Sequence, residues 1–209
     1  MAKRRRPRKR IVTDDLTLRS FTERDFDSVA LGLEQQSPPV DEFDWFAHID
    51  ALVKRERRLS RKRLFRDLLK AQEAASIYTN PGLRFQVFSR RGAWWTGYVA
   101  IYNARWNVQS AAMDYYLLNQ YWGQGIARQA VTGVLSYCWA DLGLHRVEAQ
   151  VDVDNVRSIR FAERLGLVYE GTRRDGAYVN RRWRDHRIYS ALATDPVLGH
   201  HESNASGRD

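Results

Sequence analysis

The stretch Gln120-Tyr-Trp-Gly-Gln-Gly125 constrains this chain more than any other, because of what stands on either side of it. Before it, Met113-Asp-Tyr-Tyr-Leu-Leu118 reads as a strand; after it, residues 126–142 carry the apolar spacing of a helix. Two glycines around one residue let the backbone approach a ligand without interference from a Cβ. The free N–H groups at the start of the following helix point at the same spot, which suits a pyrophosphate. Taken alone, the same residues would serve as a plain strand-to-helix turn.

The rest of the chain sets the context. It has 209 residues, 44% of them hydrophobic, enough for one domain with a substantial core. No apolar run approaches the roughly 20 residues of a membrane span, and the basic start, Met1-Ala-Lys-Arg-Arg-Arg-Pro-Arg-Lys-Arg10, lacks the apolar stretch of a secretory signal. A single cysteine, Cys138, excludes an internal disulfide framework and sits in an apolar helical stripe, the place of a small core residue. The chain is expected in the cytoplasm. No metal is expected: His200 and His201 adjoin in a polar tail, and His145 and His186 lie far apart.

The net charge of +9 is unevenly placed, with seven of the first ten residues and nine of residues 54–70 being Lys or Arg. Such runs are either solvated surface or an attraction for an acidic partner, such as a ribosomal RNA surface. Oligomeric state is left open.

Residues 1–12 read as a disordered basic tail, 13–193 as one domain and 194–209 as a second disordered tail. Leu16-Thr-Leu-Arg-Ser20 alternates as a first strand, and Thr22-Glu-Arg-Asp25 resembles a capping box opening a helix to about Leu33. After the break at Pro38-Pro39, residues 43–76 read as a long helical segment. Residues 83–90 and 94–103 form an expected hairpin, with 111–118 as a third strand. A strand at 145–151, a helix at 155–165 stopped by Gly166, and strands at 167–174 and 182–191 follow. The order is α+β: a mixed, mostly antiparallel sheet flanked by helices, with one splayed parallel pair formed by strands 111–118 and 145–151. Ligand is expected at the carboxyl ends of that pair.

Three groups of residues now line up: Gln120-x-x-Gly123-x-Gly125, then Asp154-Asn-Val-Arg-Ser158, then Ala162-Glu-Arg-Leu-Gly-Leu167 with Glu170-Gly171. Asn155 would by itself be a good helix N-cap. In this order and spacing the three resemble the GNAT superfamily of N-acetyltransferases, over roughly residues 12–193. With Leu144-His-Arg-Val147 and Trp183-Arg-Asp-His186, the likeness is closest to the RimJ/RimL type, the ribosomal-protein N-alpha-acetyltransferases.

The resemblance implies acetyl-CoA as cosubstrate. It assigns the pyrophosphate loop to Gln120, Gly123, Gln124, Gly125, Ile126 and Ala127, and a backbone bulge near Leu117, Leu118 and Asn119 to the pantetheine arm. The Leu118 N–H becomes the expected oxyanion donor. Asn155 matches the position that contacts pantetheine, and Ser158 the position proposed to protonate the leaving thiolate.

The chain departs from the family at the general base. The positions where relatives carry a glutamate are Gln150 and Ala177 here. Asp114, Glu148 and Asp175 are the remaining carboxylates to weigh. A peptide α-amine, with a pKa of about 7.7–8.0, costs roughly 3.5 kcal/mol less to deprotonate than a lysine. A site with no dedicated base therefore suits a protein N-terminus. A small amine such as a polyamine or antibiotic, and a non-catalytic ribosome-associated role, are the alternatives.

Overall fold

The computed structural model describes residues 10–20, 22–35, 83–179 and 181–196. The expected helical segment at 43–76, the Pro38-Pro39 break, the basic run at 54–70, the first nine residues and the end of the chain from 197 lie outside the described residues.

Eight strands form one sheet: β1 (Arg10–Val12), β2 (Leu16–Arg19), β3 (Leu83–Ser89), β4 (Trp95–Arg105), β5 (Ser110–Leu117), β6 (Arg146–Asp152), β7 (Val168–Val179) and β8 (Arg182–Leu192). Their spatial order is β1-β2-β3-β4-β5-β6-β8-β7. Every neighbouring pair is antiparallel except β5 and β6, which run parallel through the crossover helix α2 (Ile126–Ala140). Two further helices, α1 (Phe26–Glu34) and α3 (Val156–Arg164), complete the described elements of this length. The α+β order with a single parallel pair is as the sequence predicts.

Period-two patterning explains how the sheet is packed. Along β5 and β6, Ala111, Met113, Val147, Ala149 and Val151 enter the core, while the residues between them face the other way. On α2, Ala130, Val134 and Cys138 fall four apart, as do Val131 and Leu135, so one stripe covers that face. Each large aliphatic side chain on the stripe contributes roughly 1.5–3 kcal/mol by leaving water. Cys138 is fully buried and its thiol is pushed well above the ordinary range, as a packing residue should be.

Two boundaries differ from expectation. Residues 10–12, assigned to the disordered tail, form edge strand β1 on β2, because Ile11 pairs with Leu18 and packs on the core. The last hairpin is longer than predicted: β7 runs on to Val179, carried past the turn-prone Asp175-Gly176 by a register shift between Arg173 and Ala177. The entry to α1 keeps the reciprocal bond of a capping box. Thr22 donates its backbone N–H to Asp25 Oδ2 at 2.7 Å, and a short 3-10 turn (Glu23–Asp25) precedes the helix.

Glycine is required at one close approach on β4. A Cβ on Gly97 would lie 2.0 Å from the Tyr116 carbonyl oxygen, so only glycine lets β4 press this closely against the end of β5. Beside it, Thr96 is an extra residue between Val87↔Gly97 and Phe88↔Trp95.

Candidate active site

The parallel pair opens before its strands end. The last β5–β6 partners are Met113 and Ala149, yet β5 continues to Leu117 and β6 to Asp152. A cleft of about 660 Å³ fills the gap. Its walls include Tyr115, Leu117, Gly123, Gly125, Ile126 and Ala127 on one side and Gln150, Asn155, Ser158 and Phe161 on the other.

Hydrogen-bond parity fixes which backbone groups face this gap. Leu118 donates its N–H to Thr96 O at 2.9 Å, so Gly97 and Leu117 form a non-hydrogen-bonded pair and Leu117 turns its own N–H and C=O away from β4, toward β6. The carbonyl accepts from Trp122 Nε1 at 2.8 Å. This corrects the assignment of the oxyanion donor. The Leu118 N–H is spent within the sheet and Leu118 is fully buried; the group aimed at the cleft belongs to Leu117. The opening also comes from splay rather than from the bulge expected at 117–119, since the β4–β5 register shifts only at Tyr102/Arg105.

The glycine loop has the form the sequence predicts. Gly123 and Gly125 adopt φ of +74° and +77°, a left-handed conformation that favours glycine, and a Cβ at either would meet nothing within 4 Å. Those two positions are an open cradle rather than a packed turn. Gly125 caps α2, whose first intrahelical bond is Gln129 N–H to Gly125 O. The N–H groups of Ile126, Ala127 and Arg128 therefore have no partner inside the helix, and these three residues line the cleft. Gln120, Gln124, Asn119 and Leu118 do not line the cleft. Gln124 donates to the Gln120 carbonyl at 2.8 Å, bracing the loop from outside.

On the facing wall, Asn155 caps α3 with Oδ1, which accepts from Ser158 N–H at 3.1 Å. This is the N-cap role, and it leaves the Asn155 amide donors for other use. The turn beneath is held from β8. Buried Arg184 donates to Asp152 Oδ2 and Oδ1 at 2.8 and 2.9 Å and reaches Asp154 at 2.8 Å. Burial pushes the Asp152 carboxyl up, but Arg184, the Asp154 N–H and His186 together pull it below the ordinary value.

Sequence reading missed several lining residues. The Arg157 guanidinium lies 3.5 Å from the Trp122 ring centroid, so both edges of the cleft mouth are tied together by a cation–π contact. Arg128 and Arg164 also line the cleft. Trp122 was legible only as part of the glycine loop, and Arg157 only as part of the Asp154–Ser158 motif.

The carboxylates separate cleanly. Gln150 and Ala177 do line the cleft, so the two positions weighed from the resemblance face it without a carboxylate. Glu148 pairs with Arg146 at 2.9 Å, and Arg146 also holds Glu170. Asp175 sits at φ +50° in the exposed β7–β8 hairpin, where its N–H donates to Asp185 Oδ1. Asp114 lines the cleft, and burial pushes its carboxyl up to about 6, against the opposing pull of Arg84. His186 also lines it; burial holds its imidazole below the ordinary value, against the pull of Asp152.

Comparison with known proteins places this geometry. A family model described as an acetyltransferase (GNAT) domain matches residues 15–168. The Bacillus subtilis protein named "Probable N-acetyltransferase YjcK" is 36% identical over 88 residues, covering 42% of this chain and 49% of that protein. The Escherichia coli ribosomal protein uS5 alanine N-acetyltransferase is 34% identical over 80 residues, covering 38% of this chain and 41% of that protein. The matched region is thus under half the length of each of these two relatives. Among solved structures, Mycobacterium smegmatis RimJ in complex with CoA-disulfide aligns with a TM-score of 0.66 at 22% identity, covering 85% of this chain and 82% of that one. That likeness is one of fold.

Proposed function

Because this chain belongs to the GNAT acetyltransferase family, we propose that it acetylates a protein N-terminal α-amine, with acetyl-CoA as donor and a ribosomal-protein-like chain as acceptor. The reading rests on the splayed end of β5, where Leu117 turns its N–H into a cleft floored by the glycine loop.

The residues fit the cosubstrate. Acetyl-CoA supplies an activated thioester whose carbonyl carbon is open to attack by an amine. The N–H groups of Ile126, Ala127 and Arg128 and the open backbone at Gly123 and Gly125 would hold the pyrophosphate. The Leu117 N–H would donate to the carbonyl oxygen as charge develops there. Ser158, one turn into α3 and lining the cleft, would hold a proton at Oγ for the sulfur. Asn155 keeps Ser158 in place through the cap.

The acceptor class follows from what the cleft lacks. Gln150 and Ala177 give no strong base, so an amine that is already about one-tenth neutral at pH 7 is the suitable partner. The uS5-alanine acetyltransferase among the relatives supports a protein N-terminus, and a cytoplasmic location goes with such an acceptor.

The test is turnover of acetyl-CoA with N-terminal peptides against polyamines, read by thiol release and mass shift. Faster turnover of the peptide is expected. Faster turnover of a polyamine moves the acceptor to a small amine. Tight acetyl-CoA binding without turnover of either makes the protein a non-catalytic factor. With the correct acceptor, Ser158→Ala should lower kcat by about 10–100-fold and leave the KM for acetyl-CoA nearly unchanged. An unchanged single-turnover rate would reduce Ser158 to a helix-surface residue.

A further inference from the structure

Among the described residues, two titratable side chains that line the cleft each keep a buried polar atom with no hydrogen-bond partner: Asp114 through Oδ1 and His186 through Nδ1. A buried carboxylate oxygen without a partner keeps the cost of having left water. In a site that must receive a cation, that cost is recovered when the cation arrives. The family positions for the base hold Gln150 and Ala177, so some other group must take the proton of an arriving ammonium.

The two candidates are not equally placed. Asp114 lies on β5 itself, opposite Ala100, on the face of the sheet away from Met113 and Tyr115. It stands three residues before Leu117 on the strand that presents the Leu117 N–H. The intervening rise along the strand is roughly 10 Å. His186 lies on β8, with β6 between it and β5, and is registered on Asp152. Among the described residues, Glu148 and Glu170 on this side are engaged with Arg146, and Asp152 and Asp154 with Arg184. Among the described residues, the charged and titratable groups around Asp114 are Arg84 on β3 and Tyr102 on β4, each coupled to it electrostatically, with Tyr98 and Tyr116 lining the same cleft.

We infer that Asp114 is the general base of the transfer, accepting a proton from the substrate ammonium through a bridging water. The inference rests on the acetyltransferase reading above. The step balances. Asp114 takes one proton and later returns it to solvent. The neutral amine nitrogen bonds to the thioester carbon, and the carbon–sulfur bond breaks. The second amine proton ends on sulfur, relayed by the Ser158 hydroxyl. The carboxyl is elevated by burial but still largely ionised near neutrality, which matches it to an α-amine and not to a lysine.

The test compares Asp114→Asn with the parent protein on two acceptors. One is an amine that the parent acetylates, whether an N-terminal peptide or spermidine. The other is the peptide ending in an acyl hydrazide, whose nucleophile is already neutral at pH 7 and needs no base. We expect kcat/KM to fall about 100-fold with the amine and about twofold or less with the hydrazide. Acetyl-CoA affinity by calorimetry should be unchanged, and Asp114→Glu should restore part of the loss. Equal losses on both acceptors would make Asp114 structural and overturn the proposal. So would an amine-selective loss in His186→Asn in place of Asp114→Asn. Activity confined to spermidine overturns the N-terminal reading while the base is still tested on spermidine. A parent that binds acetyl-CoA and acetylates neither amine overturns both.

Discussion

The two faces of the sheet are built on different principles, and they meet at β5 and β6. On the face toward α2 and α3, specificity comes from shape. Met113, Ala149 and Val151 alternate into a stripe of Val131, Val134, Leu135 and Cys138. On the opposite face, the residues between them are Asp114, Glu148, Gln150 and Asp152, joined by Arg146 at the start of β6 and by Arg84, Arg184 and His186 from other strands. That face is held by directed pairs. A face made of dispersion contacts tolerates small errors. One made of buried ion pairs fails when a single partner is lost, because the other charge is left in low dielectric.

The largest expected effect lies on the polar face. Arg184→Met should destabilise the protein by about 3–5 kcal/mol, because Asp152 would stay buried without its partner. Urea unfolding would show the loss. Adding Asp152→Asn should recover a substantial part, since the stranded charge is then removed. If Arg184→Met costs no more than a surface substitution, the directed-pair description of this face is wrong.

A smaller and more local effect is expected at the loop. Gly125→Asp places a Cβ on backbone at φ +77° and a negative charge where phosphate would sit. The left-handed backbone alone costs roughly 1–2 kcal/mol for a residue with a side chain. Acetyl-CoA affinity should fall by about 100-fold or more, roughly 3 kcal/mol. Thermal stability should change much less, because nothing packs around that Cβ position. Calorimetry on the folded variant checks this. Unchanged affinity would remove the loop from the cofactor site.

The same contrast explains what could be read from the sequence. The helix face was legible because periodicity is local: the spacing of α2 and the alternation of β6 can each be seen in about a dozen residues. The parallel pair followed from one strand–helix–strand unit. The glycine loop and the Asn155 cap were legible because glycine and asparagine are chosen for backbone geometry. The polar face was not legible, because its pairs join distant segments. Arg184 meets Asp152 across 32 positions and Arg146 meets Glu170 across 24. Nor could the sequence show that Gly97 touches the Tyr116 carbonyl, or that parity hands the cleft-facing N–H to Leu117 and not to Leu118. A one-residue slip reverses which backbone groups face a gap, and sequence patterning rarely fixes register that finely. Asp114 stood among three carboxylates until the pairing of Glu148 and the exposed turn of Asp175 set it apart.

The smallest expected effect marks where the polar face reaches solvent. Arg146 bonds both oxygens of Glu170, and Ser190 donates to the same carboxylate at 2.8 Å. The Arg146 guanidinium, helped by Ser190 and opposed by slight desolvation, pulls the Glu170 carboxyl down to about 2. A depressed carboxylate stabilises the fold above its unfolded pKa of about 4.3, and this stabilisation is lost as pH falls through the folded value. The Glu170 side chain is 35% exposed, so solvent screens the pair and its full worth is about 0–1 kcal/mol. Glu170→Gln should therefore cost no more than about 1 kcal/mol at pH 7 and less as the pH approaches 2. Added salt should shrink the difference further. Urea unfolding at pH 7, 4 and 2.5 would follow it. A loss at pH 7 as large as that of Arg184→Met would mean that exposed pairs carry this face as much as buried ones, and the division drawn between its rim and its centre would fall.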